Sequence, residues 1–410
     1  MNTKQIPTAL RQGVKTLLTV VAAAAGAIGL NSCEEYDEQP LSLWMAHSEM
    51  VRVPNATHLD FRNGPKWDYS SSLELLAMLK AAERYDDAEL RNYVMQWADT
   101  MIAPNGDIRG YDPEKYNIDH VCPGKLLLML SNLTGEQRFM TAAGHLMKQM
   151  ETHPRTEEGG FWHKKVYPHQ MWLDGLYMGA PFIAQYGQLN NMDVAEDMVR
   201  QFLIVGRHTY DDSTHLYRHA WDESHQMFWA DSITGCSQHA WGRANGWYMM
   251  AMTDILEFIP EQTAGRDSLL NILNGLAKSL LDYRDPKTGM WFQVLDSPKR
   301  EGNYVESSCS SMFIYSMLKG ARLGYLPAEF SEIGSECFKQ FVNTFVKEDE
   351  TGMTVGGKPA IRVTQCCAVA GLGGKDMRDG TFDYYIKEPI RDNDAKTVGP
   401  FILACLEMNM

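Results

Sequence analysis

Apolar residues recur at helical spacing along most of the chain after residue 66, with short polar or glycine-containing breaks between the runs. This pattern predicts twelve helical segments. They cover residues 70–85, 88–101, 121–130, 137–150, 170–186, 194–210, 245–258, 269–283, 308–321, 328–346, 363–370 and 398–408. Two short runs, 216–220 and 290–295, are typical of hairpin strands beside loops.

The predicted helices are of two kinds, and the difference indicates how they are arranged. The segment 170–186 is apolar on nearly every side, whereas the segment 194–210 carries charges along one face. A helix that is apolar all round is buried, and an amphipathic helix covers a core from outside. Twelve such helices in six consecutive hairpins form an α/α toroid. No linker divides residues 66–410, so we expect an all-α fold with one domain over this range.

The N-terminus has the features of an export signal. Lys4, Arg11 and Lys15 precede an uncharged run at residues 17–30. That run is shorter than the roughly 20 apolar residues needed to span a bilayer. We therefore predict that residues 1–32 are a signal peptide.

The residues that follow resemble a lipoprotein processing site. Leu30-Asn31-Ser32 leads into Cys33. This predicts lipidation at Cys33 and an exported protein anchored to a bacterial outer membrane, on its periplasmic or cell-surface face. The alternative is a soluble secreted protein in which this cysteine is incidental. We expect residues 33–65 to be a tether and an irregular segment.

Charge limits the partners of the protein. The formal net charge is -14, and it becomes -17 without residues 1–32, which leaves 35 basic against 52 acidic residues. Nucleic acids are excluded, because phosphate recognition needs basic patches. An acidic sugar would gain no long-range attraction and would need a few local cations. The eight cysteines include no C-x-x-C pair, so we expect buried thiols rather than a disulfide framework or zinc site.

Three charged residues stand alone in apolar segments. Asp174 is the only formal charge between Lys165 and Asp193, and Arg243 is the only one between Asp231 and Asp254. Asp119 is the sole carboxylate between Lys115 and Lys125. An unpaired buried charge costs several kcal/mol, so such residues usually have a partner or a function. Either Asp174 and Arg243 pair in the core or Asp174 caps a helix, or Asp174 is a general acid with Asp119 as a second carboxyl group.

Long stretches around these charges resemble glycoside hydrolase family 105, the unsaturated rhamnogalacturonyl hydrolases. The first is GGFWHKKVYPHQMWLDGLYMGAPFIAQYG at residues 159–187. Others are LYRHAWD at 216–222, HAWGRANGWYMMAMTDILEFIP at 239–260, GMWFQVLD at 289–296, ESSCSSMFIYSMLKGARLGYL at 306–326 and GTFDYYIKEPIRDNDAKTVGPFILACLE at 380–407. Ala244 departs from the family, in which glycine is frequent at this position. The matches extend over most of residues 60–410.

The resemblance implies an (α/α)6 barrel and a hydrolase that removes a terminal 4,5-unsaturated uronic acid from lyase-generated oligosaccharides. The family's proton donor falls on Asp174, and its second acidic residue, expected to share or tune the proton, falls on Asp119. Matching substrate-contacting positions are His219, Trp241, Arg243, Lys164 and Trp247, and the first pocket loop falls on Trp67 and Tyr69. Arg243 is expected to hold the sugar carboxylate and Trp241 to stack on the ring. The resemblance implies no cofactor and no metal, with water as second substrate.

Simpler interpretations of these residues remain open. Lys164 is equally typical of a solvated lysine, and Trp247 of a core residue. His215 and His219 are four residues apart, but no third ligand is suitably spaced for a metal site. For the whole protein, the alternatives are a conventional inverting glycosidase or polysaccharide lyase on the same barrel, and a surface glycan-binding lipoprotein without activity. The sugar next to the uronate, its galacturonate or glucuronate origin, and the oligomeric state are not indicated.

Overall fold

The computed structural model describes residues 39–410, and the predicted signal peptide at residues 1–32 and the lipidation position Cys33 lie outside these residues. The helices are α1 (Leu41–Arg52), α2 (Tyr69–Tyr85), α3 (Ala88–Met101), α4 (Gly124–Thr134), α5 (Gln137–Glu151), α6 (Leu173–Leu189), α7 (Ala195–Thr209), α8 (Gly242–Ile255), α9 (Arg266–Leu281), α10 (Ser307–Arg322), α11 (Glu329–Phe345), α12 (Phe382–Lys387) and α13 (Ala395–Glu407). Within residues 39–410, none of these helices combines the length and the apolarity needed to cross a lipid bilayer.

Six of the helices form a closed inner ring. Each of α2, α4, α6, α8, α10 and α13 packs against the next, and α13 packs back against α2. In α6 and α10 nearly every residue is buried. An outer helix covers each inner one: α3, α5, α7, α9 and α11 pack against the inner helix that precedes them in the chain. The fold is the expected all-α barrel of six helical hairpins.

The sixth outer helix is α1, which packs against α13 and α2. It lies within residues 33–65, which we expected to be a tether and an irregular segment, and it moves the start of the compact domain from residue 66 to Pro40. Its buried residues include Trp44, Met45 and Ser48, a helical spacing that places them on one face. The barrel is therefore completed by an element from the N-terminal end of the chain.

The predicted helix at residues 363–370 is wrong. This segment contains the end of β8 and all of β9 instead, and both are short strands with buried residues. A short apolar run fits a buried strand as well as a buried helix, so periodicity does not distinguish them. The expected count of twelve barrel helices holds because α1 takes the place of this segment.

Short antiparallel strand pairs connect the helices at their ends. The strands are β1 (Gln170–Trp172), β2 (Tyr210–Asp211), β3 (Leu216–Tyr217), β4 (Ala220–Asp222), β5 (Val346–Glu348), β6 (Thr354–Val355), β7 (Lys358–Pro359), β8 (Ile361–Val363), β9 (Cys366–Cys367) and β10 (Ile390–Arg391). The pairs are β1–β4, β2–β3, β5–β8, β6–β7 and β9–β10. The run at 216–220 contributes to β3 and β4, and residues of the run at 290–295 form isolated bridges. The seven cysteines of the described residues are all buried free thiols, as expected.

The inner helices begin at a common end of the barrel. Buried carboxylates cap three of them: Asp68 on α2, Glu306 on α10 and Asp394 on α13 each accept a hydrogen bond from a backbone N–H of the first turn. Such caps satisfy free N–H groups and complement the positive end of the helix dipole. The first turns of α10 and α13 also touch, with Ser307 Oγ 3.0 Å from Thr397 Oγ1.

Two buried carboxyl groups lie deep among α1, α2 and α13. Burial raises the pKa of Glu49 on α1 to about 7, although the adjacent Arg52 opposes the shift. Burial also raises the pKa of Glu74 on α2 well above its ordinary value, and the charges of Glu49 and Asp60 add to the effect. Oε1 of Glu74 has no hydrogen-bond partner. The folded protein therefore favours the protonated form of Glu74.

A carboxyl group with a raised pKa in the folded state stabilises the fold at low pH. This contribution is lost as pH rises from the pKa of the unfolded state towards the pKa of the folded state. We expect Glu74→Gln, which cannot ionise, to melt at a higher temperature than the wild type at pH 8, by roughly 2–4 °C. The difference should shrink towards pH 5. Thermal unfolding followed by circular dichroism checks this, with the exposed Glu89→Gln on α3 as control. A constant difference across pH would contradict it.

Candidate active site

Asp174 is placed by a strand pair at the start of α6. β1 runs directly into α6, and it pairs with β4 so that Trp172 lies opposite Ala220. The backbone N–H of Leu173 donates to the carbonyl oxygen of His219 at 3.1 Å. Asp174 is the second residue of α6, so this pairing brings the side chain of His219 beside its carboxyl group.

The side chains of Asp174, His219 and Tyr385 contact one another in sequence. Oδ2 of Asp174 is 3.1 Å from Nε2 of His219. Nδ1 of His219 is in turn 2.8 Å from the hydroxyl of Tyr385 on α12. His219 and Tyr385 are fully buried. The side chain of Asp174 keeps 13% of its surface accessible. Because its Oδ2 is buried, this access belongs to the rest of the side chain.

Asp119 is the second carboxyl group expected at the site, and it pairs with Lys164. It lies on a 3₁₀ turn (Ile118–His120) just before α4, and its Oδ2 is 2.6 Å from Nζ of Lys164. Burial raises the pKa of Asp119, but the Lys164 ammonium outweighs this and holds the pKa below its usual value. Asp119 is therefore a carboxylate. It does not share a proton with Asp174 in this arrangement.

His163 was not among the residues chosen from the sequence, although it lies in the matched stretch 159–187. Its Nε2 is 3.4 Å from Oδ1 of Asp119, and its ring stacks on Trp172 with centroids 4.4 Å apart. Its other edge faces Gly175, where a Cβ atom would lie 3.0 Å from Nδ1. Burial lowers the pKa of His163 to about 4, although the Asp119 charge opposes the shift. A neutral imidazole therefore separates Asp119 from the start of α6.

Arg243 has protein partners on all sides. It is 1% exposed, and its Nη2 lies 3.4 Å from Oε1 of the fully buried Glu306. Nε donates to Ser308 Oγ at 2.7 Å, and the guanidinium also contacts the carbonyl oxygens of Cys367 and Ala368. A pairing of Arg243 with Asp174 is wrong. Bidentate binding of a sugar carboxylate would require Arg243 to give up these contacts, so the structure favours a supporting role for it.

Trp241 is also buried, at 1% exposure. Its ring stacks on Tyr385 with centroids 5.8 Å apart, and His219 lies 4.7 Å away. Nε1 donates to Oε1 of Gln293 at 3.1 Å, and Nε2 of Gln293 donates to the carbonyl oxygen of Tyr385. We expected one face of the Trp241 ring to be open for a sugar ring, but Tyr385 of α12 stacks on it. Trp241 therefore supports the His219–Tyr385 pair.

The remaining predicted aromatic residues, Trp247, Trp67 and Tyr69, each pack against another aromatic ring. Trp247 stacks on Tyr177 inside the ring of helices, at 4.7 Å, and is a core residue. Trp67 is buried, stacks on Trp97 and donates to the carbonyl oxygen of His120, next to Asp119. Tyr69, the first residue of α2, is partly buried and packs edge-on against Trp247.

The site contains two carboxyl groups in different surroundings. Asp174 faces the imidazole of His219 among buried aromatic rings, whereas the Lys164 ammonium holds Asp119 as an anion. In such a pair, Asp174 can donate a proton while Asp119 supplies a fixed negative charge. His215 and His219 have separate partners, because Nδ1 of His215 bonds to Tyr210. No group of three or more metal-ligating side chains gathers anywhere in residues 39–410.

Comparison with known proteins gives consistent matches. The sequence profile of Glycosyl Hydrolase Family 88 matches residues 42–410. A solved family 105 glycoside hydrolase from C. acetobutylicum superposes with a TM-score of 0.85 at 42% identity, covering 90% of this chain and 99% of that one. Protein Atu3128 from Agrobacterium fabrum is 38% identical over 56% of this chain and 97% of its own length. The unsaturated rhamnogalacturonyl hydrolase YesR from Bacillus subtilis is 27% identical, over 63% of this chain and 72% of its own.

The neutral state of His163 predicts a pH dependence of stability. A histidine whose pKa is lowered in the folded state binds protons more readily when unfolded, so its contribution is intact above pH 6.5 and lost between about 6.5 and 4. The full loss is about 3 kcal/mol. We expect His163→Gln to lose less stability over this interval than the wild type in urea unfolding. The exposed His58→Gln should behave as the wild type, and parallel curves for all three proteins would refute the interpretation.

Proposed function

Because the chain belongs to glycoside hydrolase family 88/105, a family of unsaturated glycuronyl and rhamnogalacturonyl hydrolases, we propose that it removes a 4,5-unsaturated uronic acid from oligosaccharides left by a polysaccharide lyase. Rhamnogalacturonan fragments are the favoured substrates. The proposal rests on Asp174, a partly accessible carboxyl group held by His219 among buried rings.

The reaction begins with the enol ether of the unsaturated sugar, in which the C4=C5 double bond adjoins the ring oxygen. Asp174 gives its proton to C4, and the positive charge develops on C5 and the ring oxygen. Water adds at C5 and returns a proton to the Asp174 carboxylate. The resulting hemiketal opens and releases the next sugar, so that one water is consumed. Water attacks C5 rather than the anomeric carbon, so the carboxylate-spacing rule of ordinary glycosidases does not apply.

The state of Asp119 defines its part in this scheme. A carboxylate fixed by Lys164 at 2.6 Å supplies a negative charge that does not depend on the proton of Asp174. In a buried site such a charge stabilises the positive charge forming at C5 and the ring oxygen. Asp119 thus acts electrostatically, and Asp174 alone moves the proton.

Binding of an acidic sugar by a chain of net charge -14 needs local positive potential. The inner helices α4 and α8 begin beside the site without a side-chain cap, and such N-terminal ends attract anions. Lys164 adds a cation whose side chain is 22% exposed. Arg243 holds the loop containing Cys367 and Ala368 against α8, and in this way it supports the structure around the site.

The proposal is tested by following the ultraviolet absorbance of the substrate's double bond. We expect absorbance to fall on incubation with unsaturated rhamnogalacturonan disaccharide, within a panel that includes glucuronyl and ulvan-derived fragments. Stable absorbance on every member would contradict the proposal. Rising absorbance on an intact polysaccharide would indicate a lyase, and cleavage of saturated oligosaccharides a conventional glycosidase.

Asp174→Asn keeps the shape of the side chain and removes the transferable proton. We expect kcat to fall by about 10²–10⁴-fold, the usual contribution of a general acid, while the melting temperature changes little. Asp193→Asn, at an exposed position before α7, is the control and should retain full activity. An active Asp174→Asn variant would remove Asp174 from this role.

For localisation, we propose export and lipid anchoring through Cys33, on the strength of the basic start, the apolar run at 17–30 and the following Leu30-Asn31-Ser32-Cys33. In a bacterial host that processes lipoproteins, we expect the full chain to incorporate labelled fatty acid and to fractionate with the outer membrane. Cys33→Ser should lose the label and become releasable. Cys122→Ser, at a buried cysteine, is the matched control. Equal labelling of all three proteins would contradict the assignment.

A further inference from the structure

Tyr385 contacts His219 on the opposite side of the imidazole from Asp174, and it takes part in no step described so far. It belongs to α12, a short helix in the segment leading to α13. Its side chain is fully buried, and its hydroxyl is 2.8 Å from Nδ1 of His219. His219 is the residue that faces Asp174, so Tyr385 contacts the proton donor only through this imidazole.

The direction of the Tyr385–His219 hydrogen bond follows from what each atom can do. Burial raises the pKa of Tyr385 well above its ordinary value, so the phenol keeps its proton. Within residues 39–410, Nδ1 of His219 is the hydrogen-bond partner found for that hydroxyl. If Nδ1 carried the hydrogen instead, the phenol proton would be buried without an acceptor, which is unfavourable. The hydroxyl is therefore the donor and Nδ1 the acceptor.

We propose that Tyr385 is a positioning residue that holds His219 in the tautomer with its hydrogen on Nε2, the ring nitrogen nearest Oδ2 of Asp174. This inference rests on the proposed function of Asp174. A neutral imidazole carries one hydrogen, so an accepting Nδ1 places it on Nε2. Nε2 lies 3.1 Å from Oδ2, and neither atom makes a hydrogen bond within residues 39–410, so the hydrogen lies beside Oδ2 rather than on a line to it.

The fixed tautomer matters at both stages of the reaction. Before proton transfer, the hydrogen on Nε2 disfavours a second proton on the adjacent Oδ2, so the transferable proton of Asp174 sits on Oδ1. After transfer, the partial positive charge of this N–H next to Oδ2 stabilises the carboxylate. With the opposite tautomer, an unprotonated Nε2 would draw the Asp174 proton towards itself and away from C4.

The surroundings hold the phenol in place independently of its hydroxyl. The Tyr385 ring stacks on Trp241, and its backbone carbonyl accepts from Nε2 of Gln293 at 3.1 Å. Tyr385→Phe keeps the ring and the backbone contact and removes only the donor. The neighbouring Tyr384 offers a matched control, because its hydroxyl accepts from the backbone N–H of Gly371.

Kinetics provide the first test. We expect Tyr385→Phe to lower kcat roughly 10-fold or more, with KM within about two-fold of the wild type. Tyr384→Phe should retain the wild-type kcat.

A double-mutant cycle separates positioning from general damage. Residues acting through one another are not additive, so Tyr385→Phe should cause no further loss in a His219→Asn background. Independent losses in that background would overturn the proposal, as would an unchanged kcat in the single variant.

Nitrogen NMR of the histidine-labelled protein reads the tautomer without substrate. His219 is assigned by the signals missing in His219→Asn. We expect a hydrogen-bearing Nε2 and an unprotonated Nδ1 in the wild type, and loss of this preference in Tyr385→Phe but not in Tyr384→Phe. A wild-type hydrogen on Nδ1 would overturn the proposal. Absence of activity on every unsaturated substrate would instead reject the proposed function, and the NMR result would still decide the tautomer.

Discussion

The antiparallel pairing of β1 with β4 is the contact on which the site depends. It joins the loop before α6 to the loop before α8, and it fixes the backbone of Leu173 against that of His219. A strand pair of three residues has little stability by itself. Here the barrel helices hold both strands, because β1 continues directly into α6. The rigidity of the ring of helices is thereby transmitted to one carboxyl group and one imidazole.

The barrel end also shows how a strongly acidic chain accommodates buried carboxylates. Several kinds of group compensate their charges: a helix N-terminus for Asp394 and for Glu306, a lysine for Asp119 and an imidazole for Asp174. Glu306 in turn neutralises Arg243. Because these charges are compensated locally, the net charge of the chain says little about the potential at the site. A negative net charge therefore does not by itself prevent the site from binding an anion.

Much of the fold could be predicted from the sequence, because long amphipathic and apolar segments determine helices directly. Two elements could not. The segment around Cys366 and Cys367 is a short apolar run, which fits a strand as well as a helix. Helix α1 lies within residues 33–65, which we expected to be a tether and an irregular segment. In the site, the isolated charge of Asp174 and the family motifs identified the carboxyl groups. The partners were not predictable, because His163, Glu306 and Tyr385 reach the site through tertiary contacts that leave no spacing signal.

The closure of the ring by α1 also constrains when the protein can fold. Trp44 and Met45 are covered by elements that include α13, and the backbone N–H of Ser42 donates to the carbonyl oxygen of Met410 at 3.3 Å. The start and the end of the domain are thus in direct contact, because Ser42 and Met410 are 368 residues apart in the sequence. Contacts of such separation form late and slowly. Until α13 and the residues up to Met410 are available, one seam of the barrel stays open and the apolar surface of α1 and α2 that α13 covers remains exposed.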